Sequence, residues 1–98
     1  MTIAFISHPD CLLHNMGSYH PESPERLGAI QDRLIAAGLD IYLSYHDAPL
    51  AENVHLRRAH PQSHIDMITA SVPEQGVHHL DPDTAMSPHT LTAALRAA

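Results

Sequence analysis

The chain has 98 residues, 44% hydrophobic and 16% charged, the latter below the roughly one-quarter of an ordinary soluble domain. Its formal net charge of −6, with ten histidines counted as neutral, argues against a direct grip on DNA or RNA, which needs a basic face to displace counterions. The single cysteine, Cys11, excludes an intrachain disulfide and fits a reducing compartment, and no run approaches the ~18 apolar residues of a membrane span, so a cytoplasmic protein with no membrane partner is expected.

The segment from Met1 to Ser7 lacks a basic leader and a long apolar region, which is unlike a signal peptide. Within it, Ile3-Ala4-Phe5-Ile6 is an unbroken apolar run ended by Ser7, His8 and Pro9. Such a run suits a strand covered on both faces, as in a parallel sheet. Pro9 to Glu22 reads as a loop, with Gly17, Pro21 and several polar residues. Ser23-Pro24 then opens a helix, because serine accepts from free first-turn amides and proline loses nothing at the first helical position. Leu27, Ile30 and Leu34 form its apolar stripe, and Gly38 is the stop, since glycine enters the left-handed conformation cheaply. Ile41 to Tyr45 reads as a second strand. Two strands joined through a helix make a βαβ unit, so they should be parallel.

Further on, Pro49 to Arg58 reads as a short helix with Leu50 and Val54 one turn apart, broken by His60-Pro61. Gln62 to Ser71 is another helix, carrying Ile65 and Ile68 and closed by Pro73. Glu74 to Met86 reads as an irregular acidic loop. Ser87-Pro88 repeats the serine–proline helix start, and Leu91, Ala94, Leu95 and Ala98 then line one face. No cap or turn signal follows Ala98. Residues 1–98 are therefore expected to be the N-terminal part of an incomplete domain.

Three stretches resemble the histone deacetylase family, which includes bacterial acetylpolyamine amidohydrolases. The first is His14 followed by His20-Pro21-Glu22-Ser23-Pro24-Glu25-Arg26-Leu27, with Ile30, Leu34, Gly38 and Leu39 after it. It is similar to the family's loop histidine, HPE-x-P-x-R-L motif and following helix. The second runs from Val54 to Ile68, where Arg58-Ala59-His60-Pro61 and His64-Ile65 resemble a further family segment. The third is Leu80-Asp81-Pro82-Asp83-Thr84, with Ser87 and the Ala93-Ala94-Leu95 helix. Together they cover nearly the whole chain in family order.

This resemblance implies the N-terminal part of an arginase-like, three-layer α/β/α fold with a central parallel sheet. It implies hydrolysis of an acetyl-amide on a lysine-like or polyamine amine, with zinc polarising the carbonyl and activating water. A histidine pair would move protons and a tyrosine would bind the developing oxyanion. The family's Asp-x-His ligand pair, its later aspartate ligand and its Gly-His-His motif all lie downstream of the matched region. This chain has no Asp-x-His. His78-His79 precedes the Asp-Pro-Asp-Thr loop and is separated from Gly76 by Val77, so it reads as a pair of loop residues. Tyr19, Tyr42 and Tyr45 do not sit where the catalytic tyrosine would. No catalytic residue and no metal ligand are therefore expected in this chain, and zinc belongs to the intact family only.

By the same resemblance, Arg26 lines an internal channel beneath the active site, where its planar fork could escort acetate. The alternative is a surface arginine paired with Glu22 or Asp32. His14, His20 and Glu22 belong to the loop that shapes the pocket rim, and such histidines are commonly plain structural hydrogen bonders. Asp83, rather than Asp81, is the aspartate expected to face substrate, although acidic residues beside proline are also ordinary turn formers. His60 and His64 are four apart, yet Pro61 between them favours helix-start and surface roles over a metal pair. Cys11 has no basic cluster or partner thiol nearby and reads as unreactive.

A part of a sheet meant to be covered on both faces would expose strand edges and apolar helix backs. The expected partner is a second copy, through self-association or swapping of an element, or else the missing C-terminal part of the domain. Two functions follow. One is a segment of a deacetylase with no turnover of its own. The other is a self-associating, non-catalytic scaffold module that kept the fold. A histidine-rich metal-binding protein is a third reading, and it requires stoichiometric zinc or nickel.

Overall fold

The strand–helix–strand pattern expected at the start of the chain forms in the computed structural model, which describes residues 2–98. Strand β1 is Ile3–Ser7, helix α1 is Glu25–Ala36 and strand β2 is Leu43–Asp47. β1 and β2 are parallel, in register from Ile3↔Leu43 to Ser7↔Asp47. The ladder is extended by the Ala48 N–H, which donates to the Ser7 carbonyl at 2.9 Å. β2 begins and ends two residues later than the sequence pattern suggests, because Asp40–Tyr42 winds a further tight turn before the chain can align with β1.

Gly38 ends α1 as expected. It sits at φ +69, the left-handed region that suits glycine. Its N–H donates to the Ile35 carbonyl and the Leu39 N–H to the Leu34 carbonyl, both at 3.0 Å, so the last carbonyls of the helix are satisfied. The start differs from the expected serine cap. The Ser23 hydroxyl donates to the Glu25 carboxylate at 2.5 Å rather than accepting from an amide, and Pro24 occupies the cap position.

Only Asn53–Leu56 (α2) is helical within the expected Pro49–Arg58 segment. Glu52 caps it, in a reciprocal arrangement in which the His55 ring accepts from the Glu52 N–H at 3.0 Å. α3 spans Gln62–Ala70, close to expectation.

The expected acidic loop is instead largely a hairpin. Strands β3 (His78–Asp81) and β4 (Thr84–Met86) pair antiparallel, with an irregularity between His79 and Asp81. Asp81 builds the turn by accepting from the Asp83 N–H through Oδ1 at 2.8 Å. Helix α4, Thr90–Ala97, follows.

The buried residues are few and mostly small: Ala48, Ala85, Met86, Ser87 and Ala93. They gather where α4 packs on the single tight turn Pro9–Leu13, beside the end of β2 and strand β4. The β1–β2 sheet lies outside this core, and Ile3, Ile6, Ile41 and Tyr42 are each more than half exposed. The accessible surface is 7196 Å², about 1,700 Å² more than the roughly 5,500 Å² expected for a compact protein of 10.7 kDa. The radius of gyration, 15.4 Å, exceeds the expected ~13 Å.

Candidate functional site

The candidate site is the meeting of the loop 14–22 with the β3–β4 turn and the start of α4. His20 and Asp83 were each expected at the site from their motifs. They are 63 residues apart in sequence, yet His20 Nε2 lies 3.1 Å from Asp83 Oδ1. The other ring nitrogen, Nδ1, accepts from the Glu22 N–H at 3.1 Å. The His20 side chain is 22% exposed and that of Asp83 is 93% exposed, so a sheltered ring holds a carboxylate that faces solvent.

His14 anchors the same loop to α4. Its Nδ1 lies 2.7 Å from Thr90 Oγ1, and its Nε2 lies 3.8 Å from Glu22 Oε2. The Thr90 hydroxyl oxygen accepts from the Ser87 N–H at 2.8 Å and sits 3.1 Å from Ser87 Oγ. The buried Ser87 hydroxyl in turn accepts from the Asn15 N–H at 3.3 Å. Ser87 therefore starts α4 as part of a network that also fixes the loop 14–22. That role was legible only in part, as a serine–proline helix start.

Two carboxyls, Asp81 and Glu25, sit below their usual range. The Asp83 N–H, then the Thr84 hydroxyl, stabilise ionised Asp81. The Ser23 hydroxyl, then its own backbone N–H, do the same for Glu25.

Arg26 occupies the first turn of α1, is exposed, and makes no salt bridge among the described residues. It thus joins neither Glu22 nor Asp32. His60 and His64 come together at the start of α3, their ring centroids 5.2 Å apart and their planes inclined at 30°. His78 and His79 are exposed on β3, opposite Met86 and Ala85, and so belong to a strand and not to the expected loop. The half-buried Cys11 thiol points to the Ala93 carbonyl at 3.9 Å. Among the described residues, no three His, Cys, Asp or Glu side chains are grouped to hold a metal ion.

Two further features went unread in the sequence. Arg96 donates from Nε to Asp10 Oδ2 at 3.0 Å and from Nη1 to the Ala48 carbonyl at 2.9 Å, tying α4 to the first tight turn and the end of β2. Its spacing of three from Ala93 is the signal that places it on the inner face of α4. The second is an open cleft of about 550 Å³ between the β1–β2 sheet and α1. Phe5, Ile6, Leu12, Leu27, Ile30 and Tyr45 supply its apolar lining, and the Phe5 and Tyr45 rings lie 5.3 Å apart.

No protein-family model matches the chain. An uncharacterized protein of Synechocystis sp., slr0245, is 33% identical over 95 residues, which is 94% of this chain and 31% of that protein. The crystal structure of the HDA15 HD domain is similar over 98% of this chain and 28% of its own, with a TM-score of 0.83 and 24% identity. The chain thus spans less than a third of either relative, and its α/β fold with a parallel strand pair is that of the matching part of the HDA15 HD domain. Among the described residues no helix is long and apolar enough to cross a membrane.

Proposed function

We propose that this chain is the opening part of a zinc-dependent deacetylase domain of the histone deacetylase family, acting on acetyl-amides of lysine-like or polyamine amines. The observation that carries the reading is the contact between His20 and Asp83. These residues sit in two separate motifs that resemble the family's, and both motifs belong to one pocket rim there. The shared fold with the HDA15 HD domain supports the same reading.

In this view the chain supplies scaffold and rim. The loop 14–22 and the β3–β4 turn border the entrance, and Asp83 offers a carboxylate to the substrate. Arg26 lines the product channel once the rest of the domain covers α1, and its guanidinium pairs acetate through two N–H groups. The resemblance places the family's zinc ligands downstream of the matched region, and among the described residues no three His, Cys, Asp or Glu side chains are grouped to hold a metal ion. The hydrolytic step is therefore assigned to the rest of the domain.

The test is acetate release from an acetyl-lysine peptide. A protein that joins this chain to a downstream portion carrying the Asp-x-His and Gly-His-His motifs should turn over, and the 98 residues alone should not. Turnover by the 98 residues alone, or none by the joined protein, refutes the reading.

One observation favours a second reading, the self-associating scaffold. The surplus of about 1,700 Å² on one chain is about twice the ~800 Å² per partner of a standard interface. A second copy seated on the sheet through a standard-sized interface would remove about half of it. Light scattering then gives a defined homo-oligomer with cooperative melting, whereas a monomer at moderate concentration refutes this reading.

A further inference from the structure

His20 is held at both ring nitrogens by groups with opposite demands. The Glu22 amide can only donate, so Nδ1 must present a lone pair to it. The Asp83 carboxylate can only accept, so Nε2 must carry the proton. One species meets both demands, the neutral imidazole protonated at Nε2. A fully protonated ring would keep the bond to Asp83 but would set an Nδ1–H against the Glu22 N–H.

We propose that His20 is a positioning residue for Asp83. The neutral Nε2–H form pins Oδ1 and leaves Oδ2 as the free acceptor for an N–H group of a ligand at the rim. The backbone is fixed separately, because the Asp83 N–H donates to Asp81 Oδ1 at 2.8 Å. A neutral donor suits this task better than a cation. Lysine or arginine would cancel the carboxylate charge, whereas a neutral imidazole orients Asp83 and leaves its charge for the ligand. The charged and titratable groups around the pair are Glu22 and His14 from the loop and Asp81 from the hairpin. The Glu22 carboxylate lies 3.8 Å from His14 Nε2, so its side chain is turned toward His14 while its backbone serves His20. The ligand class, an amide N–H or alkylammonium flanking an acylated amine, rests on the proposed function; the pin itself does not.

The experiment begins with long-range proton–nitrogen spectra of the histidine rings in the 15N-labelled chain at neutral pH. His20 is expected as the Nε2–H tautomer, with Nδ1 showing the shift of a lone-pair nitrogen. His20→Ala should raise the fast backbone mobility of residues 82–84. His20→Gln should restore order, since its amide oxygen can accept from Glu22 and its NH2 can donate to Asp83. The Nδ1–H tautomer, or a glutamine variant no more ordered than alanine, overturns the proposal, and the first readout needs no variant to fold. In the joined, active protein, His20→Ala should raise KM for an acetyl-lysine peptide about tenfold, with kcat within about twofold, and His20→Gln should reverse this. Equal loss in kcat overturns the positioning role. Absence of acetate release with the tautomer intact sinks the deacetylase reading and leaves the pin standing.

Discussion

Gly28 lies within α1 and Gly38 just past its end, and an alanine at each should act with opposite sign. Neither site crowds an added Cβ, since nothing lies within 4 Å of one built at either glycine. The backbone therefore decides. Gly28 is in the interior of α1 with no unusual φ, so alanine there should stabilise by about 0.5–1 kcal/mol through reduced unfolded-state freedom. Gly38 sits at φ +69, where an L side chain costs about 1–2 kcal/mol. At roughly 4–8 °C per kcal/mol for a chain of this size, Gly28→Ala should raise Tm by about 2–8 °C and Gly38→Ala should lower it by about 4–16 °C. Thermal melts followed by far-ultraviolet circular dichroism read both. Gly28 also borders the open cleft beside Leu27 and Ile30. If another body fills that cleft, the added methyl becomes overpacking, which costs about 1–3 kcal/mol. The gain at Gly28 should then shrink with rising protein concentration if copies associate there, and reverse in a protein that holds the rest of the domain. A loss at Gly28 at every concentration, or no effect at Gly38, refutes the reasoning.

Arg96→Met should destabilise by about 2–3 kcal/mol in urea melts, because it strands the Asp10 carboxylate and the Ala48 carbonyl. Adding Asp10→Asn should recover part of that loss, since the stranded charge is gone. Ser87→Ala should cost about 0.5–1.5 kcal/mol by removing the hydrogen bond that the Asn15 amide donates to the Ser87 hydroxyl, read by the same melts. Asp81 holds the hairpin turn in its ionised form, with a folded pKa below the ordinary 3.8. Its contribution is thus present above pH 3.8 and is lost as the pH falls through the lower folded value. The Asp83 amide signal should follow that titration by NMR and stop doing so in Asp81→Asn.

Much of the fold is written locally. The Ile3–Ile6 run, the Leu27, Ile30 and Leu34 stripe, and Gly38 specify strand, helix and stop without distant partners, and the parallel pairing follows from the crossover. The hairpin escaped because His78-His79-Leu80-Asp81 shows no clean alternation, and its irregularity beside Asp81 breaks the two-residue period. At the site, motif position singled out His20 and Asp83 separately. Their contact is tertiary, set by how the loop 14–22 lies on the hairpin, and periodicity carries no such information. The Arg96 bonds were illegible for the same reason, as Asp10 is 86 residues away and Ala48 offers only a backbone carbonyl.

The packing of α4 on the turn at Pro9–Leu13 sets an order of events during synthesis. The strand–helix–strand unit has all its residues once Asp47 is made, but Ala48, Ala85, Met86 and Ala93 cannot close into one interior until Arg96 arrives to hold Asp10. At about 5–20 residues per second, the roughly 50 residues between them take on the order of 3–10 s to translate. Closure of that interior leaves Ile3, Ile6 and Tyr45 as open to water as before, because the β1–β2 sheet lies outside it.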